Sequence, residues 1–146
     1  MKFSSQEEYS LRLLLRIAKF YKLGMTVTIP ELSKAEGISQ HNAAKLLRLL
    51  RLGGFIESER GANGGYYLSK TPDKIKVIDV LNFIGGRLFD DTFCNIHAGE
   101  NDICNNSIDC SVRSLWRLIQ NTIDNVLQNL TLEELTESEE KLFLKY

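Results

Sequence analysis

Between Ser39 and the pair Gly53-Gly54 the chain reads as a helix with two chemically opposed faces. At roughly 100° per residue, Ala43, Leu46, Leu47 and Leu50 share one side, and His41, Lys45 and Arg48 share the other. One side demands a small core. The other offers long polar side chains to a groove. Ser39 caps the start of this helix and the glycine pair ends it. The next segment narrows the fold further. Phe55-Ile56-Glu57-Ser58-Glu59 and Tyr66-Tyr67-Leu68-Ser69 read as short strands, with Arg60-Gly61-Ala62-Asn63-Gly64-Gly65 as the turn between them. A hairpin directly after such a helix is a wing, and its glycines let the tip approach a phosphate backbone or enter a narrow groove. The pattern predicts a helix–turn–helix with a wing.

The flanking segments complete that unit. Ser4-x-x-Glu7 and Ser5-x-x-Glu8 are two candidate capping boxes for a first helix reaching Lys22. Its apolar stripe is Tyr9, Leu13, Ile17 and Phe20, beside Leu14 and Tyr21, and Gly24 closes it. A short second helix has Pro30 in its first turn and stops at Gly37. Thr71-Pro72-Asp73 marks a boundary. Ile75, Val77 and Ile78 lead into a fourth helix ending near Ile84. After an irregular loop, a long helix is predicted from Ser111 to Asn129. Its stripe is Trp116, Ile119, Ile123, Val126 or Leu127, and Leu130. A stripe this long needs a partner surface, and the same helix of a second subunit is the economical choice. Thr131-x-x-Glu134 opens a short acidic C-terminal helix. The expected fold is mainly α with a small β-hairpin wing. Residues 1–70 form a winged helix–turn–helix, residues 71–110 a connecting helix and cysteine loop, and residues 111–146 a dimerisation helix and acidic C-terminal helix.

Charge supports a polyanion partner for the first of these units. The net charge is −1, but residues 1–70 carry 11 Lys and Arg against 6 Asp and Glu, and residues 71–146 carry 7 against 13. A basic half suits nucleic acid and an acidic half a role away from it. No apolar run approaches the roughly 18 residues that span a bilayer. Glu7, Glu8, Arg12, Arg16 and Lys19 at the N-terminus exclude a signal peptide or anchor, so a cytoplasmic protein with no membrane partner is expected. Nothing suggests an enzyme. There is no nucleophile–base pair, and Gly61-x-x-Gly64-Gly65 lies in a hairpin and does not open a helix, so it is no nucleotide fingerprint.

All three cysteines lie in one stretch, Cys94-x9-Cys104-x5-Cys110. The residues between them are rich in Asn, Asp and Gly and poor in large apolar side chains. A core is not built this way, but a thiolate cradle for a soft metal is. An odd cysteine number argues against a disulfide framework. Placed downstream of a DNA-reading unit, the loop suggests a metal-gated switch. Zinc held by the thiolates, a metal-free thiol redox switch and an inert loop remain open.

Gly37-Ile38-Ser39, the helix through Leu50, the wing Arg60-Gly61-x-x-Gly64-Gly65-Tyr66-x-Leu68 and Cys104-x5-Cys110-x5-Trp116-Arg117 together resemble the IscR/NsrR family of bacterial winged-helix transcription regulators. Ser4 and Tyr9 also fall where that family has them. The resemblance reaches to about Leu135. It implies a homodimer joined by the long helix, bound to a palindromic operator in double-stranded DNA. It also implies an iron–sulfur cluster (2Fe-2S or 4Fe-4S) sensing redox, iron or nitric oxide status. Cys94, Cys104 and Cys110 are the implied ligands. The first spacing is longer here, nine intervening residues against five in the common pattern. A family histidine three residues after the last cysteine is replaced by Arg113, which has no lone pair to donate. Glu8 from the partner subunit or His97 within the loop is then the candidate fourth ligand. The same DNA-binding role gated by a partner protein is a second possibility, and an iron–sulfur carrier or protein-interaction module is a possibility from another class.

For DNA, the candidate base readers are Gln40, His41, Asn42 and Lys45, because Gln and Asn pair with adenine edges and Lys with guanine. Lys2, Lys45, Arg48, Arg51 and the basic residues of the first helix are candidate phosphate contacts. Arg60 matches the family's wing arginine, expected in a narrow A·T-rich minor groove. Ser39 and Asn63 complete the set. IscR-like relatives carry Ser, Glu and Gln where this chain has His41, Ala44 and Lys45, so a different operator is expected.

Overall fold

The first helix, α1 (Ser5–Lys22), starts at the earlier of its two candidate boxes. Ser4 N donates to Glu7 Oε2 at 2.7 Å and Glu7 N donates to Ser4 Oγ at 3.2 Å. The helix then turns Leu13, Leu14, Ile17 and Ala18 fully inward. The structure, a computed structural model, describes residues 3–90, 92–100 and 103–145. Lys2, one of the candidate phosphate contacts, lies outside them.

Helix α2 (Ile29–Glu36) ends at Gly37, whose φ of +67° reverses the chain. Helix α3 (Gln40–Leu52) then starts under its Ser39 cap, with Asn42 N donating to Ser39 Oγ at 3.1 Å. The two faces separate as the periodicity requires. Ala43, Leu46, Leu47 and Leu50 are buried, while His41, Lys45 and Arg48 are exposed. Strands β1 (Ile56–Glu59) and β2 (Gly65–Leu68) pair antiparallel, Ile56 with Leu68 and Glu59 with Gly65. Val27, between α1 and α2, adds a bridge to Tyr66 on the wing's open edge.

A 3-10 turn (Pro72–Lys74) leads into α4 (Val77–Ile84). Composition predicts an irregular cysteine loop, but the loop contains one helical turn, α5 (Phe93–Ile96). Asp90 explains it: its Oδ1 accepts from Thr92 N, Thr92 Oγ1 and Phe93 N at 2.9, 2.6 and 3.0 Å and so organises the start of the turn. The Thr92 hydroxyl first, then these backbone N–H groups, hold the Asp90 carboxyl below the ordinary carboxylate range. Helix α6 spans Ser111–Leu127, and α7 (Leu132–Leu135) keeps the Thr131 capping box. The single acidic C-terminal helix expected from sequence is two, with α8 (Glu139–Lys145) beyond α7.

One core joins these elements. Ile75, Val80 and Leu132 cluster with Leu13, Leu14, Ile17, Leu32, Leu47, Leu50, Ile56 and Leu68. The segment after α6 is strapped back onto it, with Val77 N donating to Leu130 O at 2.9 Å and Leu132 N to Ile75 O at 2.8 Å. That segment holds Leu130, one of the candidate interface residues. Leu130 is 8% exposed and lies inside its own chain, because the helix has already ended and the chain has turned back.

A buried carboxylate locks α1 to α2. Glu36 accepts from Arg12 Nε and Arg16 Nε at 2.9 Å each, and its side chain is 5% exposed. These two arginines are among the candidate phosphate contacts; the fold uses them to set the angle at which α2 meets α1, and through α2 the placement of α3. Glu36→Ala is expected to lower stability by about 1–3 kcal/mol in urea unfolding, because two guanidiniums lose their charged acceptor. The cost stays below that of a fully buried pair, since both can rehydrate.

Candidate functional site

Helix α3 presents the predicted reading surface. Gln40, His41, Lys45 and Arg48 are exposed, and Asn42 is half-buried. A groove of about 500 Å³ runs beside them between α3 and Gln6 of α1. Among the described residues, Lys45, Arg48 and Arg60 have no ion-pair partner, so their charge is available to an anion. Ser39 uses one lone pair of its hydroxyl as acceptor for the cap, and its O–H proton and second lone pair remain.

Other cations sort differently. Arg51 Nη1 donates to Ser58 Oγ at 3.1 Å and ties the end of α3 to the wing. Lys22 bonds Thr136 Oγ1 at 2.7 Å and lies 4.0 Å from Glu133, so it anchors α7. With Arg12 and Arg16 held by Glu36, most of the basic residues of α1 serve the fold; Lys19 is exposed. At the wing tip, Arg60 and Asn63 are exposed on a turn that Gly61 makes possible with φ +124°.

The thiol loop hangs between α4 and α6. Cys94 sits in α5 and Cys110 caps α6, accepting from Arg113 N at 3.3 Å. All three cysteines are free and half-buried. Arg113, standing where the family histidine would be, donates from Nη1 to Ser107 O at 3.1 Å and braces the loop. His97 stacks on Phe93 with ring centroids 4.2 Å apart, and its Nδ1 lies 2.8 Å from Phe93 O. A neutral ring donating from Nδ1 keeps a lone pair at Nε2. Glu8 is exposed on α1, 3.9 Å from Arg12.

The donor chemistry fits an iron–sulfur cluster: three unpaired thiols within solvent's reach, plus a carboxylate and an imidazole with free lone pairs. Their positions in a single chain do not form a ready cradle. Among the described residues, no three His, Cys, Asp or Glu side chains stand close enough to hold a metal ion. The sequence spacing alone suggests a closer gathering. Cys94 lies in the α5 turn and Cys110 at the start of α6, where Arg113 braces the loop at Ser107.

A residue that the sequence reading passed over joins this loop to α6. Gln120 is 4% exposed. Its Oε1 accepts from Phe89 N at 3.1 Å, and its Nε2 donates to Asp124 Oδ1 at 2.8 Å. Asp124 in turn pairs with Arg87. Phe89 then meets Phe93, which carries the stack on to His97. The signal was present: Gln120 stands four residues after Trp116 and three before Ile123, on the apolar stripe itself. Apart from Leu130, the rest of that stripe is open or half-open. Trp116 and Val126 are exposed, and Ile119, Ile123 and Leu127 are half-buried. A groove of about 520 Å³ runs between α6 and α4, lined by Ile78, Leu81, Ile123, Val126 and Leu127 among others.

Comparison with known proteins places this architecture. Residues 3–138 match the family described as Rrf2, iron-dependent transcriptional regulator. The chain is 28% identical to the HTH-type transcriptional regulator CymR of Bacillus subtilis, over 100% of this chain and 99% of that one. It is 31% identical to the HTH-type transcriptional regulator IscR of Pectobacterium carotovorum, over 97% of this chain and 83% of that one. The solved structure of T. potens IscR superposes with TM-score 0.73 at 25% identity, over 100% of this chain and 97% of that one. That of B. subtilis CymR, described as the global cysteine regulator of its organism, gives 0.70 at 26% identity, over 93% and 96%. No helix among the described residues is long and apolar enough to cross a membrane. A two-faced α3 followed by a wing, matched from end to end by regulators of this kind, makes the chain a member of the Rrf2 family of winged-helix, DNA-binding transcriptional regulators.

Proposed function

We propose that the chain acts in the cytoplasm as a homodimeric, sequence-specific DNA-binding regulator whose operator affinity is set by an iron–sulfur cluster at Cys94, Cys104 and Cys110. The observation that carries this reading is the set of three free, half-buried thiols on the one loop that joins α4 to α6. A bound cluster supplies a centre that responds to redox state, iron supply or nitric oxide. The open stripe of Trp116, Ile119, Ile123, Val126 and Leu127 is the surface offered to a second copy. Pairing there sets the spacing of two α3 helices on a palindromic operator. Glu8 of a partner's α1, or His97, completes the ligand set.

The chain's own residues transmit the signal. A change at the cysteines moves α5, whose Phe93 packs on Phe89. Phe89 N is held by Gln120, so the displacement reaches α6 and, through Asp124 and Arg87, the segment that follows α4. Helix α4 packs on α1, which carries the reading head. A coupling of about 1–3 kcal/mol changes operator affinity roughly 5- to 150-fold.

The test is anaerobic purification and reconstitution, followed by visible absorption and counting of iron and sulfide. Stoichiometric iron that disappears in the triple Cys94→Ser, Cys104→Ser, Cys110→Ser variant is expected. A colourless, iron-free protein after reconstitution overturns the cluster reading. A second reading, thiol chemistry without metal, is supported by the end-to-end similarity to the cysteine regulator CymR. It predicts that a mild oxidant changes duplex affinity of the iron-free wild type but not of the triple variant.

A further inference from the structure

We infer that Thr26 is a positioning residue for DNA binding, whose hydroxyl pins the wing tip so that Arg60 meets the duplex at a set depth. The inference rests on the reading of the wing as a DNA-contacting element.

The ladder of the hairpin stops at the pair Glu59 and Gly65. Beyond it, residues 60–64 have little to hold them. Among the described residues, one hydrogen bond closes the tip on itself, from Gly64 N to Gly61 O at 3.0 Å. One fastens it from outside: Thr26 Oγ1 donates to Asn63 O at 2.9 Å. Thr26 is itself well placed to act as an anchor. Its neighbour Val27 exchanges two backbone bonds with Tyr66, from Val27 N to Tyr66 O at 3.1 Å and from Tyr66 N to Val27 O at 2.8 Å. The connection between α1 and α2 is therefore the third, one-residue rung of the wing, and its position is set by the core beneath it, where Val27 is fully buried.

The glycines gain a second meaning here. A Cβ at Gly65 would lie 2.8 Å from Val27 O and 3.0 Å from Thr26 Oγ1. Only glycine lets the Thr26 segment come this close. A Cβ at Gly64 would lie 2.5 Å from Glu59 O. The pair thus serves close packing of the wing base, and the freedom that remains is at Gly61. Without the hydroxyl, residues 60–64 pivot about that glycine. Arg60 must then be ordered on each binding event, and the cost appears as lost affinity.

The probe is a duplex that wild-type protein selects from a random-sequence pool. Affinities are measured for wild type, Thr26→Val, Thr26→Ser, Arg60→Ala and the double variant Thr26→Val/Arg60→Ala, on duplexes with A·T or G·C pairs where the wing lies. Thr26→Val is expected to lose about 3- to 10-fold in affinity, the usual scale for one hydrogen bond. It also loses part of the A·T preference. Thr26→Ser restores both, and Thr26→Val adds nothing once Arg60 is gone. Thr26→Ala serves as the second variant if valine disturbs the Gly65 contact. The inference is overturned if Arg60→Ala weakens binding while Thr26→Val does not, or if the Thr26 cost persists undiminished in the Arg60→Ala background. Wild-type affinity for Arg60→Ala would instead remove the wing reading, and the role of Thr26 with it.

Discussion

Replacing Lys45 and Arg48 together with alanine is expected to weaken duplex binding at least about thirtyfold, since removing one DNA-binding side chain of this kind costs roughly 1–3 kcal/mol and two therefore cost at least about 2 kcal/mol. Both side chains leave the exposed face of α3, and neither has an ion-pair partner among the described residues. Their removal should not touch the core, because Leu46, Leu47 and Leu50 on the other face carry the packing. The dependence of affinity on salt separates their roles. Every phosphate that is no longer neutralised makes the slope of log K against log salt shallower by about 0.9. If both residues hold phosphates, the slope changes by about 1.8 per reading head. If Lys45 reads a guanine edge, the slope changes by half as much and sequence preference relaxes at one position. Unchanged affinity and slope in both single variants and the double would remove α3 as the reading helix.

Leu47→Ala is expected to be strongly destabilising. Leu47 is fully buried on the inner face of α3, in the cluster that also holds Leu13, Leu14, Leu32 and Leu50. Losing a side chain of this kind costs about 2–5 kcal/mol, part transfer and part cavity. Small domains hold only about 5–15 kcal/mol in total. A large drop in urea midpoint is therefore expected, with loss of duplex binding, since the same helix carries the reading face. A midpoint within experimental error of wild type would mean that α3 does not rest on this core.

Much of the fold was legible because it depends on short-range rules. The caps at Ser4, Ser39 and Thr131 need only residues three apart. The reversal at Gly37 and the hairpin over Ile56–Leu68 come from local backbone preference. Interface and site were less legible. The spacing of Leu130 continues the stripe of α6, but the helix ends at Leu127 and the chain folds back. Cysteine spacing suggests a cradle, but it carries no information about α5 or the Arg113 brace.

The sequence by itself determined that α3 has a core side and a free side, that a wing follows it, and that all the thiols lie on one loop. Those facts follow from periodicity and composition, which act over a few residues. Tertiary structure decided which charges remain for a partner. Arg12, Arg16 and Lys22 look as available in the sequence as Lys45 and Arg48, yet Glu36, Glu133 and Thr136 engage them from 20 to 114 residues away. The burial of Gln120 and the Thr26 pin on the wing were set the same way. A long-range ion pair or hydrogen bond forms only once packing has brought its two ends together, and no local pattern carries that distance.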